Sequence, residues 1–312
     1  MGKAKYWTLT NTIIPVVILI SFTAGKSVAQ QKVQFTQYMF NGLVINPAYA
    51  GAEEALSLTF IHRSQWTGVE NAPTTQTFSG HTLFKNKHIG LGLTIINDKI
   101  GVHRNFNASA NYAYHLKIKD ETYLSFGLQA GAHSRRSDYA SLVGNANNDP
   151  KLYNPYISNT YFDVGMGVYF RSPRFHLGVS APELIPERIT INDTLSIRMS
   201  KVNYFIFSKY KVTLSENVDA EPSLMIKYLS GVPFSFDVNM NLIFRKVLTL
   251  GISYRKQESV DFLMKCQISP QLQFGYAYDY SIGEISRLSS GSHEVVVNYL
   301  FRYVQSKVAS PR

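Results

Sequence analysis

The chain has 312 residues, with Lys+Arg 31 against Asp+Glu 21 for a formal net charge of +10, and is 45% apolar, 13% aromatic and only 17% charged. Its apolar and aromatic content excludes a disordered chain, and its single cysteine, Cys266, excludes a disulfide scaffold. A mean hydropathy of −0.09 excludes a bundle of membrane helices; low charge and many aromatics at this hydropathy fit a barrel wall whose residues alternate between lipid and a polar interior.

The amino terminus reads as an address. Lys3 and Lys5 precede an apolar stretch, Ile13 to Phe22, and Ser27-Val28-Ala29 offers small residues before Gln30. This is the layout of a secretory signal peptide with cleavage near Ala29. The apolar run is shorter than the roughly 20 residues a spanning helix needs, and it contains Pro15. Residues 1–29 are therefore assigned to the leader, 30–54 to an irregular segment, 55–304 to a barrel and 305–312 to a tail. The remaining basic residues scatter among turns, as in Lys85-Asn86-Lys87 and Arg245-Lys246, and form no helix or stripe suited to nucleic acid.

Residues 34–51, QFTQYMFNGLVINPAYAG, are too aromatic for a tether and too irregular for a strand. Phe35, Tyr38 and Phe40 suit a short helix-like turn, and Asn46-Pro47 marks a turn after it. Such a piece has to hide its rings, either as a plug in a lumen or as a lid beneath it.

From residue 55 onward the period is two. In 234–242, Phe234, Phe236, Val238, Met240 and Leu242 oppose Ser235, Asp237, Asn239 and Asn241. In 248–255, Leu248, Leu250, Ile252 and Tyr254 oppose Thr249, Gly251, Ser253 and Arg255, and 106–115 and 272–280 repeat the scheme. The expected strands are 55–66, 73–84, 88–97, 104–117, 121–135, 160–170, 174–181, 202–213, 221–229, 232–244, 247–256, 259–268, 271–282 and 292–304. The fold class is thus all-β, an antiparallel transmembrane β-barrel of about 14 strands; the even number is what closed bacterial barrels use. If the first strand starts in the periplasm, the even-numbered connections Lys85–Lys87, Ile118–Asp120, Ser172–Pro173, Leu214–Ala220, Arg245–Lys246 and Ser269–Pro270 are periplasmic turns. The long connections 136–159, 182–201 and 283–291 then all lie outside, as in outer-membrane barrels.

Arg63, Asp163, Asp237, Arg255, Asp261, Lys265, Asp279 and Arg302 fall on the inward face. Charges of both signs favour a bridged or plugged lumen over an open channel. No constellation for catalysis or metal binding appears: His62, His81, His115 and His133 sit in separate strands, and the pairs Gly90/Gly92 and Gly165/Gly167 lie mid-strand with no following helix. They read as packing glycines. The expectation is a non-enzyme without cofactor or metal.

The 34–51 segment resembles the opening of the type IX secretion system membrane proteins of the PorP/SprF family. Its matching residues include Gln37, Tyr38, Asn46, Pro47, Ala48 and Gly51. Further matches follow in order: Arg63-Ser64-Gln65-Trp66, Ala72-Pro73-Thr74-Thr75-Gln76, Asn97-Asp98-Lys99-Ile100-Gly101, Gly251-Ile252-Ser253-Tyr254-Arg255, Gly275-Tyr276-Ala277-Tyr278-Asp279-Tyr280 and Gly291-Ser292-His293-Glu294. The stretch from about 136 to 220 matches poorly. The resemblance implies an outer-membrane barrel of Bacteroidota that works with other type IX components. It also implies partners exported through a C-terminal sorting domain, gliding adhesins among them. An outer-membrane channel or transporter for small molecules or lipids is the alternative.

On this reading the external loops hold the partner, with Tyr139, Tyr153 and Tyr156 as candidate anchors. Trp66 reads as an interfacial anchor, and His293-Glu294 as a hydrogen-bonding pair at the barrel rim.

Overall fold

The computed structural model describes residues 33–84, 88–139, 156–185, 188–192, 195–198, 202–229 and 233–301. The expected leader, Tyr153, Arg302 and the tail lie outside these residues.

The described residues start with three 3-10 turns, Tyr38–Phe40, Gly42–Val44 and Pro47–Tyr49, and continue mainly in strands. These are β1 (Leu56–Ser64), β2 (Thr74–Leu83), β3 (Ile89–Ile100), β4 (His103–Lys119), β5 (Thr122–Asp138), β6 (Tyr156–Arg171) and β7 (Phe175–Ala181). They continue as β8 (Arg188–Asn192), β9 (Leu195–Arg198), β10 (Asn203–Tyr210), β11 (Val212–Ser215), β12 (Val218–Leu229) and β13 (Ser235–Phe244). The last four are β14 (Leu248–Arg255), β15 (Ser259–Gln267), β16 (Leu272–Ser281) and β17 (Ser292–Phe301). A further 3-10 turn, Glu284–Arg287, lies in the last connection.

Neighbouring strands pair antiparallel, and β1 pairs with β17 from Leu56↔Phe301 to Ser64↔His293, which closes the sheet. β11 continues β10 past Lys211 along β12, and β8–β9 form a separate hairpin, so the barrel has the expected 14 strands. Closure is obligatory in lipid, because each unpaired backbone group there costs several kcal/mol. No helix among the described residues is long and apolar enough to span a membrane; the strands do the crossing.

The alternation sets the facing. Phe262 is 53% exposed and Leu250 44%, whereas Ser253, Asp237 and Asp261 are buried. The apolar set forms the outer face and the polar set the inner one.

The structure differs from the sequence expectation in three places. Strands β3, β5 and β6 run three or four residues beyond their expected ends at the long-loop side, where Arg136, Ser137 and Asp138 of β5 pair with Ser158, Ile157 and Tyr156 of β6. Above the lipid there is no apolar face to alternate with, so the period fades while backbone pairing continues. The connection expected at Leu214–Ala220 shortens to Glu216-Asn217, because β11 and β12 pair beside it. The expected loop 182–201 contains the β8–β9 hairpin.

One end of the barrel carries tight turns: Asp120-Glu121, Ser172–Arg174, Glu216-Asn217, Arg245–Val247 and Ile268–Gln271. The other end carries the long connections, although Gly101-Val102 and Lys256–Glu258 are short there too. Parity therefore segregates all the long connections to one end without making every connection there long.

A cation at mid-membrane on the outer face costs about 2–4 kcal/mol. Leu250→Arg is expected to reduce the yield of folded, heat-modifiable barrel in membranes. Leu288→Arg, in the exposed 282–291 connection, is expected to leave that yield unchanged.

Candidate functional site: a plugged lumen and its mouth

The lumen is filled by the chain's own residues 33–55. Phe35, Tyr38, Met39, Leu43, Ile45, Ala48, Ala50 and Ala52 are buried against the inner wall. Tyr38 meets Phe207 of β10 edge-on, with ring centroids 5.8 Å apart. Of the two alternatives left by the sequence, plug and lid, the structure takes the plug.

The wall makes room with glycine. A Cβ at Gly127 would collide with the backbone of Ala48, one at Gly90 with the carbonyl of Ala50, and one at Gly167 with the side chain of Asn46. At Gly275 it would meet the Gln37 side chain. Of the mid-strand glycines read from sequence as packing residues, Gly90, Gly92 and Gly167 face the plug and Gly165 faces Pro182; Gly127 and Gly275 complete the groove. Their signal was their common inward parity.

Polar anchors fix the plug at both ends and in the middle. At the long-loop end, the Glu294 carboxylate accepts the backbone N–H groups of Thr36 at 2.9 Å and Gln37 at 2.8 Å. Arg63, directly opposite Glu294 across the β1–β17 seam, pairs with it at 3.2 Å and with Asp279 at 2.6 Å. The Thr36 hydroxyl donates to Asp279 at 2.7 Å and accepts from Arg63 at 2.7 Å. Arg255 adds a 3.4 Å contact to Asp237 and lies 3.8 Å from both Asp261 and Asp279; Lys227 pairs with Asp237 at 2.9 Å. These charges would be very costly to bury singly; as a network of both signs they are tolerated.

In the middle, Asn46 caps the third 3-10 turn: its Oδ1 accepts from the Ala48 N–H at 2.9 Å, and its Nδ2 donates to the Val168 carbonyl at 3.0 Å. Ser180 donates to the Ile45 carbonyl at 2.6 Å, and Asn41 donates to Ser79 at 2.9 Å. Lower down, Gly51 takes φ +82°, a backbone conformation that suits glycine, and its N–H donates to His81 Nδ1 at 3.1 Å. His115 Nε2 lies 2.8 Å from the Ala50 carbonyl, which assigns it as the donor. Arg171 closes the short-turn end on Glu54 at 2.9 Å.

The matched residues therefore converge. Gln37, Tyr38, Asn46, Pro47, Ala48 and Gly51 build the plug, and Glu294 receives it. Glu294 is a lumenal anchor, not the rim residue expected, because its parity turns it inward. His293 points the other way and accepts or donates at the Tyr276 hydroxyl at 2.7 Å. Gln65 and Trp66 line a cavity of about 490 Å³ above the plug, at the long-loop mouth, together with Asp98, Arg135 and Glu258. Trp66, two residues past the end of β1, takes a positive φ of 52°, and its backbone N–H donates to Ser292 Oγ at 3.1 Å.

Tyr139 packs edge-on to His103 at 5.9 Å, Tyr156 begins β6 opposite Asp138, and Tyr153 lies outside the described residues. Among the described residues, no cluster of three or more His, Cys, Asp or Glu side chains is arranged to hold a metal ion. His81 Nδ1 is taken up by the N–H of Gly51 in the plug.

Two substitutions test the seating of the plug. Arg63→Met leaves Asp279 and Glu294 without their shared cation, a loss of about 3–5 kcal/mol for a broken buried pair. It is expected to lower the temperature of heat-modifiable unfolding. Gly127→Ala is expected to expel Ala48 and expose the plug to protease in isolated membranes, while the surrounding strands stay protected.

Three solved barrels share the architecture. The Ralstonia pickettii toluene transporter TbuX aligns with a TM-score of 0.51 at 9% identity, covering 84% of this chain and 93% of that one. The CymD monoaromatic hydrocarbon channel aligns with a TM-score of 0.50 at 11% identity, covering 84% and 93%. The TodX deltaS2S3 mutant monoaromatic hydrocarbon channel gives 0.50 at 9% identity, covering 84% and 94%. At such identities the likeness is one of fold. A comparison with curated proteins finds no match. The family described as type IX secretion system membrane protein PorP/SprF matches residues 27–299, from before the plug almost to the end of the closing strand. The chain belongs to the PorP/SprF family and is an outer-membrane β-barrel of type IX secretion.

Proposed function

We propose that this barrel docks or anchors exported proteins at the cell surface through their C-terminal sorting domain. It binds protein and catalyses no reaction. The observation that carries this reading is the filled lumen. A 14-stranded barrel is already too narrow to pass a folded domain, since aqueous channels open at about 16 strands. With residues 33–55 packed inside, the outer mouth and its loops are the surfaces left for a partner.

Family membership supplies the setting: the protein acts alongside other type IX components in the outer membrane. The assignment of the short turns to the periplasm follows the general habit of outer-membrane barrels. Cleavage of the leader near Ala29 completes the reading. Gliding adhesins are one class of partner, and a Bacteroidota origin is part of the same expectation.

The alternative, a small-molecule or lipid transporter, has the fold of three solved transport barrels on its side. The packed plug, bonded to the wall along its length, argues against a standing path.

The test is a loop exchange. Ser137 and Asp138 of β5 pair with β6 residues, so the strands have to be kept and only 140–155 replaced by a short Gly-Ser linker. The folded barrel is expected in normal amount, with the exported partner released into the medium. Undiminished surface retention of the partner would refute this loop as the docking site. Conductance by the purified intact barrel would favour the transporter.

A further inference from the structure

The plug has a direction. Its first described residue, Val33, lines the mouth cavity at the long-loop end, beside Gln65 and Trp66. Gln34 reaches Glu258, in the connection between β14 and β15 at that same end, at 3.4 Å. Thr36 and Gln37 are held by Glu294, near the upper start of β17. From there the chain descends through Asn46 at mid-wall to Ala52 and Glu54, which Arg171 binds beside the tight Ser172–Arg174 turn. Only then does β1 start upward from Leu56. The chain thus enters the barrel from the long-loop mouth and crosses the lumen to the short-turn end before its first strand.

The geometry points to the processed amino terminus being displayed at the cell surface, through the outer mouth of its own barrel. This rests on the membrane orientation and on the leader cleavage proposed above. After cleavage near Ala29, only Gln30, Gln31 and Lys32 precede Val33. Three residues reach about 10 Å when fully extended. The apolar band of such a barrel is about 25 Å tall. A terminus so short, starting from the mouth, cannot return to the periplasm, and the lumen below Val33 is occupied by the plug itself. The signal peptidase works on the periplasmic side of the inner membrane, so the new terminus has to be drawn up into the lumen as β17 closes on β1. The amino terminus then becomes part of the same surface that meets an exported partner.

A short linear epitope inserted between Gln31 and Lys32 tests this on intact cells. The same epitope is placed between Leu288 and Ser289, in the long-loop end, and between Glu216 and Asn217, in a tight turn. Antibody is expected to bind the amino-terminal and the 288–289 tags on intact cells alike, and the 216–217 tag only after permeabilisation. If the two controls behave so but the amino-terminal tag is reached only after permeabilisation, the inference is overturned and the orientation stands. If the controls exchange behaviour, the orientation fails and takes the inference with it. Should the inserted tag prevent folding, Gln31→Cys in a Cys266→Ser background reports the same point. Its labelling by a small impermeant thiol reagent on intact cells supports the display, and labelling only in opened cells overturns it.

Discussion

The Arg63–Glu294 pair joins two things that have to happen together. It spans the seam where the first and last strands meet, and its carboxylate receives two backbone N–H groups from the plug. A barrel closed without the plug would leave Glu294 and Asp279 facing a wet or empty lumen with only the arginines for company. A plug without the closed seam would have no acceptor for the backbone at Thr36 and Gln37. Barrel closure and plug seating therefore share the same contacts, and removing either partner would leave buried charge uncompensated.

The remainder of the lumen solves a packing problem that a soluble core does not meet. The wall's inward face has to be polar because the outward face is spent on lipid, yet the plug brings Phe35, Tyr38, Met39, Leu43 and Ile45 into that polar space. Glycines on the wall let the plug backbone approach, and small polar side chains such as Ser79 and Ser180 bond to it at close range. The apolar plug residues then pack on one another and on the few inward apolar residues, Ile61, Phe207, Met225 and Leu263. The result is a solid cylinder whose outer surface is greasy and whose centre is mixed. That centre leaves the long-loop mouth, with its cavity beside Trp66 and Arg135, as the concave polar surface the molecule presents.

The facing of most strands, the count of 14, and the segregation of long loops to one end were legible in the residues; the strand at 202–213 has no clean alternation and did not declare its face. A strand's period is local: Asp237, Asn239 and Asn241 declare their face without knowing their neighbours. The plug residues were recognisable as a distinct aromatic segment for the same reason, and the inward charges by parity alone. What could not be read was every relation between distant positions. Glu294 read only as a hydrogen-bonding residue at the rim, with no partner named, because a single strand carries no information about what fills the lumen beside it.

The amino-acid sequence alone therefore pointed to a closed, lipid-exposed barrel with a charged, two-signed interior, since a strand that alternates in hydrocarbon has to pair all its backbone groups by closure. Only the tertiary structure decided that residues 33–55 lie inside, that they run from the long-loop mouth to the short turns, and that Arg63, Asp279 and Glu294 hold them there. The physical reason is that these depend on contacts between residues more than 100 positions apart, such as Glu54 with Arg171 and Thr36 with Glu294, which come into being only when the sheet closes on itself.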